Sequence, residues 1–252
     1  DRVRLPKYPA DSLEKSVGFV RAAVEANGCI QHYNCDSEIH LRALAAYAAC
    51  VEWVDDAAGR VIDALDYLGL ADNTVVIYAS DHGEMAGSRG YWQKTVFFDD
   101  SARVPLIVRA PGCKKGGCGE PVGLIDLYPT LCELAGLEVP GTCEGVSLVP
   151  LLAGEGRSAR DGVFCESTVY KRPEYAGCML RRGNHKYNHY LDGDDELYDL
   201  GADPGETVNL VRDAACAGTA REMLDAVVNF WQPEQQRERF DRTPMMRRET
   251  IE

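Results

Sequence analysis

No apolar run in the 252 residues approaches the roughly 20 positions that a membrane-spanning helix requires, so no span is expected. The opening residues, DRVRLPKYP, have neither the charged and apolar regions of a signal peptide nor an initiating Met, and the chain reads as beginning in mid-sequence. Basic charge is scarce. There are 27 Lys and Arg against 40 Asp and Glu, for a net charge of −13 and a pI near 4.9, and the bases do not cluster. A protein that tracks a phosphate backbone needs a basic face, so nucleic acid is not an expected partner. Internal repeats, low-complexity tracts and a G-x-S-x-G nucleophile elbow are also missing. What remains, 45% hydrophobic residues with 24 Gly and 12 Pro, is ordinary globular material.

Ten cysteines are many for a cytosolic chain and few for a disulfide-built scaffold. The compartment stays open, with the cytoplasm favoured over the periplasm or secretion. Cys113 and Cys118 flank KKGG, but no second close pair completes a tetrahedral zinc site, and a surface loop is expected there. Cys50 and Cys132 fall in apolar-periodic segments and are expected in the core.

From His40 to Leu68, apolar residues recur at three and four and predict a long amphipathic helix, with Gly69 placed for a left-handed cap. TVVIYAS (74–80) is short, continuous and β-branched, as in a strand buried on both faces of a parallel sheet, and PLIVR (105–109) predicts a second buried strand. Residues 124–137 predict a helix ending at a Gly136 cap, with Pro129 tolerated in its first turn. Beyond Gly154, the short segments VFCESTV, GCMLRR, HKYNHYL and DELYDL suit a small antiparallel sheet. A helix over Ala220–Trp231 and a polar tail from Pro233 follow.

The segment richest in chemistry is SDHGEMAGSRGYWQK. Asp81 and His82 stand just past the carboxyl end of a strand, where open α/β sheets place ligands and where the strict alternation of side chains ends. A carboxylate beside an imidazole can form part of a metal shell. Lys94 follows through a loop containing Gly83, Gly87 and Gly90, and its ammonium could meet an anion held by that metal. On spacing alone, a turn with a solvated carboxylate competes with a ligand pair. His32 and His40 suit solvated or capping roles. His185 and His189 share one face of a strand, and a two-histidine metal site there competes with a structural role.

The sequence SDHGEMAGSRGYWQKTVFFDDSARVPLIVRAPG resembles the carboxyl-half signature of the sulfatases and of the related phosphonate and phosphodiester hydrolases of the alkaline phosphatase superfamily. Flanking segments agree in order: AAYAACVEWVDDAAGRVIDALDYLGLADNTVV before it, and VGLIDLYPTLCELAGLEVPGTCEGVSLVPLLAG and ELYDLGADPGETVNLV after it. The DHG form with W-x-K and FF-x-x-SARVPL is most similar to choline-sulfatase-like members.

The resemblance implies an α/β fold in which residues 1–158 form part of a mostly parallel sheet sandwiched by helices. Residues 159–252 would form a small antiparallel-sheet subdomain with a helix and tail. It implies Asp81 and His82 as ligands of a divalent cation, Ca²⁺ in first place and Mn²⁺ in second. Lys94 becomes the contact to sulfate or phosphate oxygens of a small anionic ester. Gly83 would keep the loop free of a Cβ, Glu84 would support the ligands, Trp92 would pack, Arg103 would make a structural ion pair or anchor a loop, and His189 would lie near the site's rim.

The family's nucleophile is a formylglycine made from the Cys or Ser of a C-x-P-S/A-R motif, accompanied by an early Asp pair and a Pro-His-x-Pro stretch. None of the ten cysteines begins such a motif, and the Pro-His-x-Pro stretch is missing as well. The expectation is a carboxyl-terminal portion whose amino-terminal half supplies these groups. A truncated, non-catalytic relative is the competing expectation, and a homo-oligomer is compatible with the Arg-rich tail.

Overall fold

The computed structural model describes residues 3–8, 11–26, 37–155, 158–170 and 172–242. Helix α1 (Gly18–Ala26) has no counterpart among the sequence expectations, because nine residues give little periodic signal. It buries Phe19, Val20, Ala22, Ala23 and Val24.

Helix α2 (Ser37–Tyr67) forms where the three-and-four spacing predicts it, and Gly69 closes it at φ +68°. Its burial differs from that of an ordinary amphipathic helix. Only His40 is buried along its 31 residues, while Trp53 and Tyr67 are 73% and 90% exposed. Cys50, expected in the core, lies exposed on this helix, whereas Cys132 is buried as expected.

Strands β1 (Val76–Ala79) and β2 (Leu106–Arg109) correct a second expectation. They pair antiparallel, from Val76 opposite Arg109 to Ala79 opposite Leu106, and they are not buried on both faces. Tyr78 and Ile107 are exposed. An apolar run records what covers a strand in the finished fold, and among the described residues nothing covers these faces fully.

Between these strands lies α3 (Asp99–Ala102), and after them come α4 (Leu127–Leu134) and α5 (Val149–Leu152). The helix expected over 124–137 is shorter because its first three residues form a 3₁₀ turn, while Gly136 turns the chain at φ +68° as expected. Fully buried Asp126 organises this region. Its carboxylate accepts from Gly123 N, Val146 N and Arg160 Nε at 2.8–2.9 Å, so the burial of its charge is compensated by three donors.

The antiparallel sheet predicted beyond Gly154 is present: β3 (Val163–Val169), β4 (Arg172–Arg182), β5 (His185–Tyr190) and β6 (Glu196–Asp199), in that spatial order. Side-chain alternation gives the sheet two apolar faces. On one, Cys178, Leu180, Tyr187 and Leu197 pack on Met223, Val227 and Trp231 of α6 (Ala217–Trp231). On the other, Met179, Tyr190 and Tyr198 join Phe19 of α1 and Met85, Tyr91, Phe97 and Phe98 from the segment between β1 and β2. Phe19 stacks on Phe97 and on Tyr190, with ring centroids 5.6 and 4.8 Å apart. Gly177 permits this approach, because a Cβ there would lie 2.6 Å from Tyr190 Cδ1. The polar tail begins as a further helix, α7 (Pro233–Arg242), set off from α6 by Gln232 at φ +50°.

Candidate active site

Strand β1 ends at Ala79, and the next residues turn their polar groups onto one another. Ser80 Oγ donates to His82 O at 2.8 Å, and His82 N donates to Asp81 Oδ1 at 3.0 Å. His82 Nδ1 lies 2.7 Å from Gly83 O. A carbonyl oxygen only accepts, so Nδ1 carries the ring proton and Nε2 keeps its lone pair. That nitrogen is 3.6 Å from Asp81 Oδ2, and both side chains are exposed. Desolvation pushes the Asp81 carboxyl upward, but the opposing contributions, led by the His82 amide that donates to Oδ1, hold the group below the usual range.

Asp81 and His82 therefore present a carboxylate oxygen and a bare imidazole nitrogen side by side, a donor set that suits a divalent cation. Among the described residues, no group of three or more His, Cys, Asp or Glu is arranged to hold a metal ion. The described residues offer two protein donors here and no complete shell.

Lys94 is exposed on the returning arm of the loop that follows. The two arms are tied by Met85 N to Gln93 O at 2.9 Å and Gly87 N to Tyr91 O at 3.1 Å. Gly83 donates to Ser101 O at 2.7 Å, and a Cβ on Gly83 would come closer than 3.0 Å to the Asp100 carbonyl oxygen. Close backbone approach thus requires this glycine. Gly87 and Gly90 turn the loop at φ +85° each. Four residues of this loop adopt positive φ without being glycine: Ala86 at +48°, Arg89 at +54°, Gln93 at +81° and Thr95 at +93°, the last two on either side of Lys94. Such conformations cost about 1–3 kcal/mol each and persist only when neighbours hold them.

Those neighbours are identifiable. Glu84 Oε1 accepts from Ala86 N at 3.1 Å and Gln93 N at 2.6 Å, while Ser167 Oγ on β3 donates to Thr95 O at 2.8 Å. The far end of the loop is gripped by the closing motif of the small sheet. Arg89 lies 3.8 Å over the Phe98 ring and donates to Gly205 O and Glu206 O. Lys186, buried on β5, donates to Phe97 O, to Asp99 and to Glu206 Oε1. Glu206 Oε2 in turn accepts from Asp99 N at 2.7 Å. Burial pushes the Glu206 carboxyl up, and Lys186 offsets this only in part.

Trp92 packs against the core cluster, as expected, and Arg103 makes an ion pair with Asp99 at 3.9 Å, one of its two expected roles. His40 is not solvated but buried, its ring edge-on to Trp92 with centroids 6.5 Å apart. His32 lies outside the described residues. His189 faces away from the loop. Its Nδ1 is 2.8 Å from Asp195 Oδ1 and its ring lies edge-on to Trp231 of α6, because alternation along β5 sends residues 186, 188 and 190 toward the loop instead. A place near the loop is therefore excluded for it. His185 lies with His189 on that same α6-facing side of β5.

Residues 5–137 match the family model described as Sulfatase, and residues 87–232 match the carboxyl-terminal region of N-sulphoglucosamine sulphohydrolase. The chain belongs to the sulfatase family. This sulfatase-family chain is 38% identical over 184 residues to a choline-sulfatase of Rhizobium meliloti, covering 71% of the chain and 35% of that protein. It is 33% identical to arylsulfatase K of Rattus norvegicus, covering 91% of the chain and 42% of that protein. Its fold superposes on a phosphonate monoester hydrolase from Silicibacter pomeroyi with a TM-score of 0.78 at 29% identity, covering 90% of the chain and 50% of that structure. The chain thus spans between a third and a half of the length of these relatives.

Proposed function

We propose that this sulfatase-family chain supplies the carboxyl-terminal part of a divalent-metal-dependent sulfuric ester hydrolase. Asp81 and His82 would hold the cation, Ca²⁺ before Mn²⁺, and Lys94 would meet the oxygens of a small anionic sulfate ester. The observation that carries this reading is the His82 tautomer, with Nδ1 spent on Gly83 O and Nε2 left bare beside Asp81 Oδ2. When bound, the cation would supply Lewis-acid polarisation of the ester. The residues of this chain orient its ligands, present an ammonium to the anion and fix the loop between them. In a site closed from water, one such ammonium contact is worth about 3–4 kcal/mol of transition-state stabilisation.

The nucleophile and remaining ligands would come from an amino-terminal half, the partner in this reading. The bare apolar side chains of α2 and the exposed faces of β1 and β2 support such a partner. The decisive experiment titrates Mn²⁺ into the chain with electron paramagnetic resonance as the readout, with Ca²⁺ as competitor. Binding should be weak in the wild type and abolished in Asp81→Asn and His82→Ala; equal affinity in all three would overturn the assignment.

A second reading keeps the site and changes the ester to a phosphonate monoester or phosphodiester. The likeness to the Silicibacter pomeroyi enzyme favours it. Parallel assays of aryl sulfate, aryl phosphonate and phosphodiester, with the amino-terminal half present, would rank the two. No turnover of any ester by that folded, metal-loaded assembly would favour the non-catalytic relative.

A further inference from the structure

We propose that Glu84 and Ser167 are positioning residues for Lys94, each holding one of the two left-handed residues that flank it. The proposal rests on the reading of Lys94 as the anion contact and goes beyond it. Neither Gln93 nor Thr95 would choose its backbone conformation unaided, and a β-branched Thr at φ +93° is the stronger exception. Each is fixed by a group from outside its own arm. The Glu84 carboxylate takes the amide of Gln93 at 2.6 Å, a charge-assisted bond, and Ala86 N closes the same oxygen into a turn. The Ser167 hydroxyl reaches from β3 to the carbonyl of Thr95 at 2.8 Å.

The Lys94 backbone is thus pinned on one side by the segment that follows His82 and on the other by the small antiparallel sheet. A long, flexible side chain gains from such a mount, because the direction of its Cα–Cβ bond is set before the anion arrives. The arrangement also gives the small sheet a part in the chemistry: β3 holds the lysine without touching the substrate.

The test uses the whole chain with Ca²⁺ and inorganic sulfate as the probe. Amide hydrogen exchange at residues 93–95 is measured alongside the sulfate dissociation constant. Glu84→Ala and Ser167→Ala should each speed exchange at these amides by about tenfold and weaken sulfate binding by about tenfold, the scale of one lost hydrogen bond. Glu84→Gln and Ser167→Thr, which keep an acceptor and a donor, should restore both. Circular dichroism should show the same fold in all four variants.

Unchanged exchange at residues 93–95 in both alanine variants would overturn the proposal. So would unchanged sulfate affinity in both of them while Lys94→Ala loses it. If instead Lys94→Ala binds sulfate as well as the wild type, the anion-contact reading fails, and the exchange measurement still decides whether Glu84 and Ser167 hold the backbone.

Discussion

Lys186 Nζ lies 2.7 Å from Glu206 Oε1, with side chains 1% and 4% exposed, and this pair joins β5 to the closing motif of the small sheet beneath the loop. Removing one member leaves the other charged and buried. Lys186→Met should destabilise the chain by about 3–5 kcal/mol in urea unfolding, and Lys186→Met with Glu206→Leu should recover a measurable part of that loss. A double-mutant cycle provides the check.

Gly83→Ala places a Cβ against the Asp100 carbonyl oxygen. The backbone must part there, at a cost of about 1–3 kcal/mol in thermal unfolding. Because Gly83 O also fixes the His82 tautomer, Mn²⁺ affinity should fall along with stability. A substitution that lowered stability and left affinity untouched would separate the two roles.

Burial, joined at Tyr187, Tyr190 and Tyr198 by acidic hydrogen-bond partners, pushes these phenols and that of Tyr91 above the usual value of 10.0. Above pH 10 the unfolded chain releases these protons and the folded chain keeps them. The folded state then binds more protons, so stability must fall as pH rises, by up to about 1.4 kcal/mol per pH unit for each phenol. In a titration followed by phenolate absorbance, these four should appear only with the unfolding transition.

The apolar residues of α2, including Val51, Trp53, Val54, Val61 and Tyr67, are exposed. The chain without its proposed partner should bind a hydrophobic dye and self-associate as concentration rises. Val54→Lys with Val61→Lys should reduce both effects and leave the unfolding midpoint nearly unchanged. Light scattering and dye fluorescence test this directly.

Local patterns told the most where local forces decide. The spacing of Leu41 to Leu68 located α2, Gly69 its end, and the alternating segments after Gly154 the four-stranded sheet. The pairing of β1 with β2 and the exposure of Cys50 were not legible, because both depend on what stands beside the element and not on its own residues. At the site, Asp81, His82 and Lys94 stood out by residue type. The clasp of Glu84 and Ser167 did not, since Gln93 and Thr95 are not turn formers and nothing in their identity announces a positive φ. The Arg89, Lys186 and Glu206 grip joins residues up to 117 positions apart, beyond the reach of any periodicity.

The stack of Phe19 and Tyr190 on Phe97 has a consequence for protein engineering. Residues 81–98 are not a portable cassette: their aromatic foot stands on α1 and on β5 at once. A chimera joined within this loop would separate the foot from its floor. Crossovers near residue 110 would do the same, parting Phe97 from Tyr190. Loop exchange between relatives should therefore succeed only when α1, the loop and the four-stranded sheet are inherited from one parent.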